Sequence, residues 1–171
     1  YHIPALSFVN LPMASILEHG AARIPNLRGG KFTHNDLMDF HRSLTIQDGR
    51  FDVFFGMDEI LLSALAVGAT AAVGSTYNYA APAYQRLIDA YLHGESKTAR
   101  SIAEKVLGFI QVLFEFGGLA AGKAIMKLVG IDCGPTRLPL RPVTGGRLDR
   151  LRRRLEEVGF FELLEKSRKP S

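Results

Sequence analysis

The stretch Leu27-Arg28-Gly29-Gly30-Lys31-Phe32-Thr33-His34-Asn35-Asp36-Leu37 passes from a glycine-rich apolar segment, through four polar residues, into an amphipathic one. Leu37, Phe40, His41 and Leu44 then recur at helical spacing. This reads as a short strand, a polar rim and a helix. Thr33 or Asn35 is the expected cap, because a side-chain oxygen there accepts an orphan backbone N–H. The same logic returns twice downstream. Phe51 to Phe55 is aromatic and β-branched, Gly56 ends it, and a helix is expected from Asp58 to Val67, stopped by Gly68. Thr70 to Gly74 is the third strand, made of small residues. Ser75 to Ala81 follows as a loop, and Pro82 opens a helix whose stripe is Tyr84, Leu87, Ile88 and Tyr91. Strand–helix units joined by short connections predict an α/β fold, with a parallel sheet covered by helices.

Outward from these units the pattern changes. Tyr1-His2-Ile3-Pro4 reads as the end of a strand whose beginning is absent. Ser96 to Phe116 and Leu119 to Val129 are helical, Gly134, Pro135, Pro139 and Pro142 impose an extended stretch, and Leu148, Leu151, Leu155 and Val158 mark a last helix ended by Gly159. No low-complexity linker intervenes. Residues 1–94 are therefore expected to carry the strand–helix units, and 95–171 to form a helical extension within one structural domain.

The net charge of the 171 residues is +4. Arg147, Arg150, Arg152, Arg153, Arg154, Lys166, Arg168 and Lys169 crowd the C-terminus, but Asp149, Glu156, Glu157, Glu162 and Glu165 interleave with them. A solvated helix face is expected there, with no nucleic-acid partner. The single cysteine, Cys133, excludes an internal disulfide and is compatible with a reducing cytoplasm. The five histidines show no metal-ligand spacing, and no apolar run reaches membrane-spanning length.

Lys31 stands out chemically. A lysine at the end of an interior strand points into crowded surroundings, burial favours the neutral amine, and a neutral amine attacks a ketone to form a Schiff base. Tyr1 could shuttle protons nearby. Asp58 and Glu59 open a helix directly after a strand, where carboxylates either accept from substrate hydroxyls or complement the helix dipole. Gly117 to Lys123, Gly-Gly-Leu-Ala-Ala-Gly-Lys, imitates a phosphate-binding loop. The next residue is Ala124, so the magnesium-holding hydroxyl is missing and a tight interhelical turn is expected.

Five motifs together resemble the N-acetylneuraminate lyases, within the wider dihydrodipicolinate synthase/aldolase superfamily of (β/α)8 barrels. They are Tyr1-His2-Ile3-Pro4-Ala5-Leu6-Ser7, Gly29-Gly30-Lys31-Phe32-Thr33, Phe54-Phe55-Gly56-Met57-Asp58-Glu59, Gly74-Ser75-Thr76-Tyr77-Asn78, and Lys123-Ala124-Ile125-Met126 with Gly134-Pro135-Thr136-Arg137-Leu138-Pro139-Leu140. One departure is Phe8, where the family usually has glycine. The resemblance implies the C-terminal half of a barrel, from the end of strand five through strand eight. It implies Lys31 as the Schiff-base lysine and Tyr1 as the proton-transfer group. Thr33, Gly56, Asp58, Glu59 and Ser75 would hold the sugar polyol, and Gly74 would line the pyruvate end. The implied reaction is cleavage of N-acetylneuraminate to N-acetylmannosamine and pyruvate. It needs no metal or organic cofactor and is carried by a cytoplasmic homotetramer. Without the first four strands the chain alone is expected to be a poor catalyst. A sister pyruvate-dependent aldolase or synthase, and a non-catalytic half-barrel interaction module, remain the alternatives.

Overall fold

The computed structural model describes residues 1–165, so Lys166, Arg168 and Lys169 of the basic C-terminal group lie outside the described residues. Two compact units are present, Tyr1–Gly74 and a second that begins at Ser75. The division falls before the helix that starts at Tyr77, because that helix packs on Ser96–Glu115 and Phe160–Leu164.

In the first unit the elements are α1 (Pro4–Ser7), α2 (Met13–Arg23), β1 (Gly29–Phe32), α3 (Leu37–Thr45), β2 (Asp52–Phe55), a 3-10 turn (Asp58–Ile60) and α4 (Leu61–Ala66). Strand β1 pairs in parallel with β2, Lys31 opposite Phe54 and Phe32 opposite Phe55. Single parallel bridges, His2 to Phe32 and Phe55 to Ala72, extend this ladder on both sides. Four parallel strand positions thus lie side by side in chain order, with helical crossovers. That is the topology of half a (β/α)8 barrel. The expected third strand at Thr70–Gly74 narrows to the bridge at Ala72, held by Phe55 N–H to Ala71 O (2.9 Å) and Val73 N–H to Phe55 O (2.8 Å).

Alternation explains which side is buried. Val53 and Phe55 of β2 are buried, while Asp52 and Phe54 face out. Phe32, Phe40 and Phe55 form the centre of the core, with ring centroids 5.0–6.4 Å apart, and all three are fully buried. The cap of α3 is neither Thr33 nor Asn35. Asp36 takes that place, its carboxylate accepting from Asp39 N–H at 3.0 Å. Helix α2 lacks a capping side chain of its own, so no local signal in the sequence announces it. Its first turn is capped from α3, where the Asp39 carboxylate accepts from Met13 N–H (2.6 Å) and Ala14 N–H (3.1 Å). Phe8 takes φ 57°, the left-handed conformation that glycine adopts freely, and its N–H closes α1 onto Pro4 O at 2.9 Å. A side chain there costs roughly 1–2 kcal/mol.

The second unit is helical: α5 (Tyr77–Leu92), α6 (Ser96–Glu115), α7 (Leu119–Leu128), α8 (Gly146–Glu157) and α9 (Phe160–Leu164). The expected loop up to Ala81 is instead helical from Tyr77, with a kink at Ala80 (φ −128°, ψ 16°) just before Pro82. Proline has no N–H to continue the ladder, so the helix breaks there and restarts. Tyr79, Tyr84, Phe109 and Phe160 pack edge to face in the core, with Phe109 and Phe160 at 5.2 Å. Gly159 ends α8 in the left-handed conformation, and the chain then turns into α9, an element the sequence reading lacked. Arg86 anchors it by donating to the carbonyls of Leu163 and Glu165. The basic residues of α8 are largely spoken for. Arg154 pairs with Glu115 and Glu157, Arg152 with Glu156, and Arg147 donates to Phe116 O. The loop at Gly117–Gly118 is a turn between helices, and Lys123 Nζ donates to Cys133 O and Pro135 O. No single helix among the described residues is long and apolar enough to cross a membrane.

Replacing Asp39 with Ala orphans two N–H groups of α2. A loss of about 1–2 kcal/mol is expected, read as a lower urea midpoint. An unchanged midpoint would show that α2 does not depend on this cap.

Candidate active site

Phe32 turns into the core, so its neighbour Lys31 points to the opposite face of β1. It is half-buried there, less enclosed than the sequence suggested, because that face is uncovered within the unit. The ladder brings Tyr1 beside it. His2 N–H donates to Lys31 O at 2.9 Å and His2 O accepts from Thr33 N–H at 2.9 Å, which places the residue before His2 next to the lysine. Lys31 Nζ lies 5.4 Å from the centroid of the Tyr1 ring, itself 92% exposed.

Thr33 continues the Lys31 face. Its hydroxyl is buried and has no hydrogen-bond partner among the described residues. Both side chains lie across Gly56, where a Cβ would come within 2.4 Å of Thr33 Oγ1 and 2.5 Å of Lys31 Cε. At the end of β2, Asp58 and Glu59 stand in the 3-10 turn and not at the first turn of α4, which begins at Leu61. The expected dipole pairing with one continuous helix is thereby replaced by a tighter turn that buries Asp58 and leaves Glu59 half-buried. The Asp58 carboxylate lies on Gly74, where a Cβ would sit 1.7 Å from Oδ1. The two glycines therefore act by lacking a side chain. Lys31, Tyr1, Thr33, Gly56, Asp58, Glu59 and Gly74 all belong to the first unit's strand ends. Ser75 is exposed and opens the second unit, its carbonyl accepting from Asn78 N–H and Nδ2.

One feature of the site has no local signature in the sequence. An open cleft of about 390 Å³ adjoins Thr33, with Asn10, His34 and Asn35 around it. Thr33 and Asn35, the expected caps of α3, both border this cleft, and Asp36 caps the helix in their place. Among the described residues no three His, Cys, Asp or Glu side chains gather around a common point for a metal ion.

A phenol thus lies beside a strand-end lysine, and a buried carboxylate stands at the next strand end. The profile of the dihydrodipicolinate synthetase family matches residues 1–158. The chain belongs to that family. It is 38% identical to N-acetylneuraminate lyase of Rattus norvegicus over 164 residues, 94% of this chain and 51% of the relative. Its fold superimposes on the N-acetylneuraminate lyase of Proteus mirabilis with a TM-score of 0.89 and 41% identity, covering 94% of this chain and 54% of that one. A dihydrodipicolinate synthase of Bacillus anthracis is similar at TM-score 0.81 and 26% identity, over 91% of this chain and 53% of that one. The chain thus spans about half the length of the curated relatives it matches. Within the family's (β/α)8 barrel it corresponds to a C-terminal half.

The ladder's own histidine is titratable. Burial holds the His2 imidazole below its ordinary value of 6.5; Asp39 opposes this and His34 adds to it. In the unfolded chain the same group takes up a proton near its ordinary value, so the unfolded state binds more protons in mild acid. Stability is then lost as the pH falls through about 6.5 and levels off below the folded value. His2→Phe should flatten the fall in urea midpoint between about pH 7 and pH 5. Equal slopes in both chains would contradict this.

Proposed function

We propose that this chain supplies the C-terminal half of a class I, Schiff-base aldolase that cleaves N-acetylneuraminate to N-acetylmannosamine and pyruvate. The observation that carries the reading is the Lys31 amine facing the Tyr1 ring at 5.4 Å, with the buried Asp58 carboxylate at the adjoining strand end. The similarity to lyases over nearly the whole chain supports it.

The Lys31 amine attacks the substrate ketone and, with loss of water, becomes a protonated imine. Tyr1 takes the proton from the hydroxyl on the carbon that becomes the aldehyde. The carbon–carbon bond then breaks and its electron pair flows into the imine, leaving an enamine. Protonation and hydrolysis release pyruvate and restore the amine. The lysine supplies the electrophile, so the step calls on no metal or organic cofactor. Thr33, Asp58 and Glu59 hold the polyol. Gly56 keeps room for Lys31 and Thr33, and Gly74, at the pyruvate end, keeps room for Asp58. On this reading residues 1–94 supply the barrel half, the described residues from 95 on supply its helical extension, and the working enzyme is a cytoplasmic homotetramer.

Among the described residues the ladder positions at His2 and Ala72 each have one strand neighbour, and Phe54 is 41% exposed on the face of Lys31. A sheet with such edges and an uncovered inner face is completed by further strands. Catalysis therefore belongs to the full barrel, obtained by joining this chain to the N-terminal half of a lyase relative. A synthase that uses the same lysine with another aldehyde partner is the second reading, favoured by the similarity to the Bacillus anthracis enzyme.

The test is intact mass after borohydride reduction with pyruvate, on the chain and on the full barrel. An adduct that Lys31→Ala abolishes is expected on the full barrel, and weakly or not at all on the chain alone. No adduct on a folded full barrel would sink the proposal. Asp58→Asn and Glu59→Gln should lower kcat/KM for sialic acid at least about ten-fold, the scale of one lost charge-assisted hydrogen bond. Trapping of pyruvate should survive in both variants, and equal losses in the two assays would favour the synthase reading.

A further inference from the structure

The cleft beside Thr33 has no part in the bond-breaking step. Pro4, Ala5 and Met57 give it apolar walls, while Asn10, His34 and Asn35 supply polar groups. Asn10 and Asn35 are exposed, and none of the three side chains makes a hydrogen bond among the described residues. Thr33 lines the same cleft and carries the orphaned hydroxyl.

Its position follows from the ladder. Thr33 is the next residue after Lys31 on one strand face, roughly 6.6 Å further along. Pro4 and Ala5 follow Tyr1 on one side of it, and Met57 precedes Asp58 on the other. A sugar chain anchored at Lys31, with its polyol drawn towards Asp58 and Glu59, presents the intervening carbon to Thr33. In N-acetylneuraminate that carbon bears the acylamino group.

We propose that the cleft is the subsite for this acylamino group, and that Asn10, His34 and Asn35 make it select an acyl group carrying a hydroxyl over plain acetyl. The inference rests on the lyase reading. An acetyl group has three heavy atoms and takes roughly 90 Å³ at about 30 Å³ per water-sized group. The cleft of about 390 Å³ is larger than that, and its polar lining comprises two amides and an imidazole besides the Thr33 hydroxyl. A terminal methyl satisfies none of them, whereas a terminal hydroxyl both donates and accepts. The apolar walls then pack the acyl carbons.

The test compares N-glycolylneuraminate with N-acetylneuraminate on the full barrel. The hydroxylated substrate should show the higher kcat/KM, by about three- to ten-fold, the scale of one neutral hydrogen bond. In the double variant Asn10→Ala, Asn35→Ala the ratio should fall to near one, through a raised KM for the glycolyl substrate. Both asparagines are exposed, so folding should survive, and pyruvate trapping at Lys31 verifies it independently of the cleft. A ratio near one in the unmodified enzyme, or a ratio kept in the double variant, would overturn the subsite. Failure of pyruvate trapping would instead overturn the lyase reading beneath it.

Discussion

The parallel ladder from His2 through Phe32 and Phe55 to Ala72 is the constraint on which the first unit depends. Because side chains alternate, one register decides both faces at once. Phe32 and Phe55 stack at 6.4 Å on the helix side and seal against Phe40. Lys31 and Thr33 are left on the other side, with Tyr1 alongside. A slip of one residue would send the lysine into the aromatic core and expose the phenylalanines. Burial of three aromatic rings, each contributing about 1.5–3 kcal/mol, thus holds the amine where chemistry can use it.

Removal of bulk shapes the rim as much as placement of polar groups. Gly56 lets the Lys31 and Thr33 side chains lie flat across the next strand end, and Gly74 does the same for the Asp58 carboxylate. A carboxylate buried in that way is held in one orientation before any ligand arrives. The long-range cap from Asp39 to α2 serves the same end at a distance, fixing the helix that follows the Tyr1 segment.

The second unit is built differently, from helices closed over a cluster of tyrosines and phenylalanines. Its charges are spent locally. Glu115, and then Glu157, hold the Arg154 guanidinium more firmly in its charged form, and Lys123 ties down two loop carbonyls. The phosphate-loop look-alike is therefore a structural turn, with its lysine already occupied.

Much was legible in the chain itself. Strand–helix alternation, the stops at Gly56, Gly68 and Gly94, and the long stripe of α6 are local signals, since hydrophobic period and glycine punctuation act within a few residues. The order of the five motifs carried the family. Other features depended on contacts between distant segments, which no local pattern encodes. Asp36 and not Thr33 caps α3, because the helix begins only at Leu37, while Thr33 is still held in the ladder by its N–H donating to His2 O. The kink at Ala80 extends α5 backwards, because Tyr79 and Ala80 find burial there. Sequence by itself determined the α/β class, which follows from residue type and spacing, and its five motifs carried the resemblance that pointed to the family and to the candidate lysine. Only the tertiary structure decided that Tyr1 faces Lys31, that Asp58 rests on Gly74, and that a cleft opens beside Thr33. Each of those is a meeting of residues far apart in the chain, set by the register of a parallel sheet.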